Sequence, residues 1–249
     1  MHELEWKPSP APANELGWGW RDLLLAIFCF FAVTGIAAIV IGTIAAWRGI
    51  STTESTFTAP TIYATAFTAY LAMAGSVLVF ALRRGTPAQL GLHMPAFREL
   101  LIVPPIFFLG ITALVAVNLT IAAFNGGTFE NPQAEGIAGS TPLTRTQFIA
   151  LLILIAGLVP LAEELLFRGM LYPLLRQRFR PLAAVPLNAA LFAIAHVIPI
   201  ILPGLFVVGL FIAYLRERSN SIWPCVLYHT LQNSLALFAI DAALRTGAL

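Results

Sequence analysis

The sequence predicts an all-α fold: a polytopic transmembrane bundle of about seven (7–8) helical spans. Three observations carry that expectation. Of the 249 residues, 59% are hydrophobic and 10% are charged, against about 25% charged in an ordinary soluble domain. The mean hydropathy of +0.84 leaves too little polar surface to cover a soluble globule. The apolar residues also come in runs near the length of a bilayer span, with most of the arginines gathered between them.

Seven spans follow in order, at about 23–47, 61–82, 100–124, 148–173, 186–198, 201–215 and 223–244. Most reach the roughly 20 residues that cross a bilayer, while the fifth and sixth are short. Those two flank "HVIPIILPG", which reads as a tight Pro/Gly turn near one surface. The segment at about 125–147 is rich in Gly, Thr, Asn and Pro and reads as a flexible loop. The organisation expected is one membrane domain over 1–249, with a cytosolic segment at 1–22 and a motif-bearing core at 148–244. No internal repeat is visible. The first 20 residues hold no apolar run of signal-peptide type, so the first span is expected to act as an uncleaved anchor.

Arginine placement orients the chain. With the N-terminus inside, the inner segments hold Lys7, Arg21, Arg83, Arg84, Arg98, Arg176, Arg178, Arg180, Arg216 and Arg218, and the outer ones hold Arg48, Arg145 and Arg245. The ten-to-three bias predicts a cytoplasmic N-terminus and an outer C-terminus. "RQRFRP" is read as part of that signal rather than as a dedicated lipid site. Trp18, Trp20, Trp47 and Trp223 sit at span ends, where interfacial aromatics gather. The net charge of +2 and the lack of a basic run exclude a nucleic-acid partner and leave membrane lipid. Cys29 and Cys225 have no metal-site spacing and read as small apolar fillers.

The fourth span carries a conflict: "LAEELLFRG" puts Glu163, Glu164 and Arg168 inside an apolar run. Each ionised side chain at mid-helix costs about 2.5–3.5 kcal/mol, so such residues persist when paired or when they line a wet cavity. Glu164 and Arg168 are spaced i,i+4 and share a face, which Tyr172 extends. Glu163 points about 100° away and has no partner in its own helix, so it is free to face a cavity as a base. Two later spans carry matching oddities. Asn188, Phe192 and His196 form one stripe at i, i+4, i+8, and His229 and Asn233 lie at i,i+4. If Pro173, Pro186 and Trp223 mark inner span ends, Glu163, His196 and Asn233 lie ~15 Å deep and His229 ~9 Å. That layer is nearer the inner face and suggests cytosolic or lateral access.

These residues resemble a known family. "EELLFRG" is similar to an EExxxR motif, "FAIAH" to FxxxH and "HTLQN" to HxxxN, in that order, and "LGLHMP" at 90–95 resembles a short upstream element. The trio characterises the CPBP family, which includes the type II CAAX prenyl endopeptidases and the bacteriocin-processing and immunity (Abi) proteins. The resemblance spans about 155–240 and implies an intramembrane endopeptidase acting on a peptide or protein that is lipid-modified or membrane-embedded. It implies that Glu163 polarises the attacking water, that Glu164 is its neighbour and that Arg168 orders the site. It further implies that His196 shares the water and that His229 and Asn233 stabilise the oxyanion, with Phe192 in support. The prenyl endopeptidases have eight spans, one more than the seven read here.

The chemistry agrees with that assignment. Amide hydrolysis needs an activated water, oxyanion donors and a proton for the leaving amine, which Glu163 with His196, and His229 with Asn233, can supply. No serine or cysteine lies within a motif to act as nucleophile. No cofactor and no metal is expected. Two alternatives stay open: a zinc-dependent metalloprotease, for which HExxH is lacking, and a non-catalytic immunity or scaffold protein. The Ala- and Arg-rich composition suggests a bacterial cell membrane.

Overall fold

The computed structural model describes residues 16–50, 57–127, 131–132, 136–137, 139 and 141–247. Lys7, most of the expected cytosolic segment and part of the 125–147 loop lie outside them. The described residues form seven helical rods and no strand: α1 (Trp20–Trp47), α2 (Pro60–Leu82), α3 (Phe97–Phe124), α4 (Arg145–Arg176), α5 (Pro181–Ile194), α6 (Pro199–Ser219) and α7 (Trp223–Thr246). α1, α2, α3, α4 and α6 are long and apolar enough to cross a membrane. α5 is too short to qualify, and α7 carries the polar "HTLQN" stretch. The chain is an integral membrane protein.

Burial follows position in the bundle. α1 is apolar all round yet buries only Leu23, Ala26 and Ala45. Phe28, Phe31, Ile36 and Ile39 stay exposed, as expected where the surroundings are lipid. α4 is its opposite, the centre of the bundle, with every residue from Ala162 to Leu175 buried. Trp18, at the span end as expected, faces the protein. It is buried and its Nε1 donates to the Met170 carbonyl at 3.1 Å, tying the chain entering α1 to α4. Arg83 pairs with Asp22 at 2.8 Å and joins α2 to α1 at the arginine-rich end.

Pro173 and Pro186, which the sequence suggests as inner span ends, do not end their helices. α4 runs on through Pro173 to Arg176, and Pro186 lies inside α5. A proline within a helix lacks an N–H and crowds the carbonyl four residues back. α4 relieves this twice by inserting a π turn, at Leu152–Leu158 ahead of Pro160 and at Leu165–Leu171 ahead of Pro173. The ladder shifts to i→i+5, with Val159 N–H bonding the Leu154 carbonyl and Tyr172 N–H the Phe167 carbonyl. The next carbonyl in each turn would need the missing N–H of proline. Those carbonyls, Ile155 and Arg168, accept from side chains of other helices: Asn233 Nδ2 at 2.8 Å and Arg216 Nε at 2.8 Å. Arg216, read from sequence as an inner surface charge, is therefore buried and performs a backbone task.

The "LGLHMP" stretch folds over the start of α7. Gly91 adopts φ +80°, where a side chain is strained, and a Cβ there would lie 3.2 Å from the Arg216 guanidinium carbon. Its carbonyl accepts from Ile222 N–H at 3.1 Å, and the His93 carbonyl accepts from Ser221 Oγ at 2.8 Å. Ile222 and Ser221 are fully buried, and α7 starts at the half-buried Trp223, the span end expected from sequence.

Candidate active site

The glutamates sit on the α-helical turn Val159–Glu164, held between the two π turns of α4. Glu164 and Arg168 are both fully buried and pair at 3.2 Å, as their spacing predicts. Arg168 also donates from Nη2 to the Gly209 carbonyl at 3.2 Å, and its guanidinium carbon lies 4.6 Å from the centre of the Phe192 ring. A Cβ at Gly209 would lie 3.0 Å from Ala189 Cα, so the glycine lets α6 pass against the α5 backbone. Tyr172 does not join this pair. Its hydroxyl donates to Glu217 Oε2 at 2.8 Å, because the π turn rotates it toward α6.

Glu164 Oε1 has a second partner, His229 Nδ1 at 2.8 Å. A carboxylate only accepts, so Nδ1 carries the proton of that bond and Nε2 is turned toward Glu163, 3.8 Å from its Oε2. Glu163 is 7% exposed, and its Oε2 has no hydrogen-bond partner in the protein. Tyr70, from α2, lines the same cavity as Glu163. Sequence reasoning missed Tyr70, a polar group on an otherwise ordinary span.

His196 lies beyond the end of α5 rather than on it, because the helix stops at Ile194. Its Nδ1 meets the Phe192 carbonyl at 2.9 Å, one of the open carbonyls of that helix end. A carbonyl accepts only, so Nδ1 is protonated and the Nε2 lone pair is left available. The ring packs edge-on against Phe192, with centroids 4.9 Å apart. Phe192 in turn contacts Phe167 and His229 edge-on and so spaces the two imidazoles. Asn188, on the same stripe, faces away from the site and donates to the Phe167 carbonyl at 2.9 Å.

Glu163, Phe192, His196, His229 and Asn233 all line one cavity of about 410 Å³, with Tyr70 beside them. Glu164 and Arg168 stand behind its wall. The Asn233 amide already spends one N–H on the Ile155 carbonyl and has one left for the cavity. Among the described residues, no three of His, Cys, Asp and Glu are disposed to hold a metal ion. Cys29 and Cys225 are both free.

A carboxylate and two imidazoles, backed by a buried ion pair, thus meet at one cavity inside a bundle of apolar helices. Residues 145–235 match the family model described as type II CAAX prenyl endopeptidase Rce1-like. The family is one of proteases, hydrolases of peptide bonds, and it supports an intramembrane endopeptidase of the CAAX type. No curated protein and no solved structure matches the chain.

Proposed function

We propose that this protein hydrolyses a peptide bond within the membrane by water activation on Glu163 and His196, without a metal. The observation that carries the reading is the Glu163 carboxylate, facing a cavity shared with His196 and His229 while its neighbour Glu164 is held by Arg168. Glu163 and the His196 Nε2 lone pair orient one water and accept its proton. The resulting hydroxide adds to the carbonyl carbon of the scissile amide. The oxyanion is met by the free N–H of Asn233 and by His229, whose Nε2 donates when the ring is protonated. The proton taken from water passes to the amide nitrogen, the C–N bond breaks, and a carboxylic acid and an amine leave. Tyr70 shares the cavity with Glu163 from the α2 side.

The substrate class in this reading is a lipid-modified or membrane-embedded peptide. The chain sits with its N-terminus in the cytoplasm, following the arginine bias. Purified protein incubated with a peptide library tests the reading. Cleavage by the wild type and none by Glu163→Gln is expected, and equal cleavage by both removes Glu163 from the catalytic role.

A further inference from the structure

We propose that Gln232 is a positioning residue for the substrate: its carboxamide pairs with a main-chain peptide group of the bound chain, within two residues of the scissile bond. The inference rests on the hydrolytic reading above and adds the group that fixes the register of the bound peptide.

Buried amides elsewhere in the bundle have a plain structural use. Asn188 donates to the Phe167 carbonyl at 2.9 Å and Asn233 to the Ile155 carbonyl at 2.8 Å, each tying its helix to α4. Gln232 does nothing of the kind. Its Oε1 is buried without a hydrogen-bond partner, and its Nε2 donates to no group among the described residues. A buried amide left unpaired is destabilising, because water satisfies it in the unfolded chain. No task in the fold accounts for a glutamine here, which leaves a task toward something that enters the cavity.

Its place suits that task. Gln232 lines the cavity that holds Glu163, His196, His229 and Asn233. It stands three residues after His229 on α7, and side chains at i,i+3 on a helix are neighbours, with Cβ atoms about 5–6 Å apart. His229 Nε2 is in turn 3.8 Å from Glu163 Oε2. Each residue of an extended peptide advances the chain by about 3.3–3.6 Å. A scissile carbonyl held between Glu163 and His229 therefore brings the peptide group one or two residues along within reach of Gln232. Beyond it α7 offers the cavity only Leu235, Ala236, Leu237 and Ala239, none with a side-chain hydrogen bond to give.

The chemistry matches a peptide main chain. A carboxamide presents an acceptor and two donors in one plane, as a peptide group presents an acceptor and a donor. Oε1 accepts a substrate N–H and Nε2 donates to a substrate carbonyl, whatever side chains the substrate bears. The terminal torsion of glutamine is broad, so the amide turns to meet the chain with little strain. Held there, the adjoining scissile carbonyl is oriented toward the water on Glu163 before reaction. Asn118 of α3 brings a second amide to the same wall, and Gly204 leaves it room: a Cβ on that glycine would lie 3.3 Å from Asn118 Oδ1.

A backbone ester scan tests the assignment. A peptide cut by the purified protein in the library is resynthesised with each non-scissile amide within three residues of the cut replaced, one at a time, by an ester. The ester removes the N–H and weakens the carbonyl as an acceptor. Cleavage is followed by mass spectrometry for the wild type and for Gln232→Met, a nearly isosteric change. The wild type should lose about tenfold in kcat/KM at one ester within two residues of the cut, the effect of about one hydrogen bond. Gln232→Met should lose about tenfold on the all-amide peptide and be indifferent to that ester. Its melting in detergent should match or exceed that of the wild type, since no bond within the protein is broken. An ester penalty of equal size in both proteins overturns the inference, as does wild-type cleavage of the all-amide peptide by Gln232→Met. A lowered melting temperature overturns it as well and makes Gln232 a packing residue. Equal cleavage by the wild type and Glu163→Gln sinks the hydrolytic reading and this inference with it, whereas a flat ester scan beside an inactive Glu163→Gln removes Gln232 alone.

Discussion

Asn233→Leu tests the link between the π turns and the site. The substitution removes the donor to the Ile155 carbonyl, bonded at 2.8 Å. That carbonyl has no helical replacement, because the i+5 position is Pro160 and Val159 N–H is taken by Leu154. Orphaning a buried polar group costs about 1–3 kcal/mol. Ile155 lines the cavity and is half-buried, so water can make part of the lost bond, which sets the expected loss at about 1–2 kcal/mol. For a chain of this size each kcal/mol shifts Tm by about 2–4 °C. Thermal unfolding in detergent should therefore fall by roughly 2–8 °C. The decisive comparison adds Pro160→Ala, which returns an N–H to the turn. The double variant should lose about 1 kcal/mol less than the sum of the two single changes. Additivity within about 0.3 kcal/mol would refute the idea that Asn233 stands in for the missing proline N–H.

Glu164→Ala should do more damage, because it leaves Arg168 charged and unpaired at zero exposure and frees His229 Nδ1. A loss of about 3–5 kcal/mol is expected by detergent melting, and Glu164→Leu with Arg168→Met should recover most of it; a single variant as stable as wild type contradicts the pairing. Tyr70→Phe tests whether the hydroxyl, on the same cavity wall as Glu163, serves the carboxylate: kcat should fall about tenfold with KM nearly unchanged, as loss of about one hydrogen bond to a charged group implies. An increase in KM at constant kcat would make Tyr70 a substrate contact instead.

Helices and chemistry were legible in the sequence to different depths. The seven apolar runs became seven rods, because hydropathy and length decide that question in lipid. Spacing paired Glu164 with Arg168, since i,i+4 geometry is local, and it put Glu163 on a different face that reaches the cavity. Spacing failed where proline altered the period. Tyr172 left the Glu164 face and α4 continued past Pro173, because π turns absorbed what was read as a helix end. The signal was present, as Pro160 and Pro173 each sit inside an apolar run with a stray polar residue on another helix to serve the open carbonyl. The i,i+4,i+8 spacing puts His196 on the α5 stripe, whereas the residue caps the helix from the turn beyond it. Tyr70 and Arg216 act only through tertiary contacts, and nothing local in the sequence points to them.

The central claim is that Glu163, not a metal, activates the water. A zinc site needs typically three protein ligands and lowers the pKa of its bound water toward about 7. Here Glu163, His196 and His229 would be the ligands, the two histidines through Nε2, because His229 Nδ1 serves Glu164 and His196 Nδ1 the Phe192 carbonyl. The most direct measurement is peptide-library cleavage by purified protein after exhaustive chelation, run beside Glu163→Gln and paired with elemental analysis. The account predicts full cleavage by the chelated wild type, none by Glu163→Gln, and no stoichiometric zinc. Activity lost on chelation and restored by Zn²⁺ but not Mg²⁺ would contradict it.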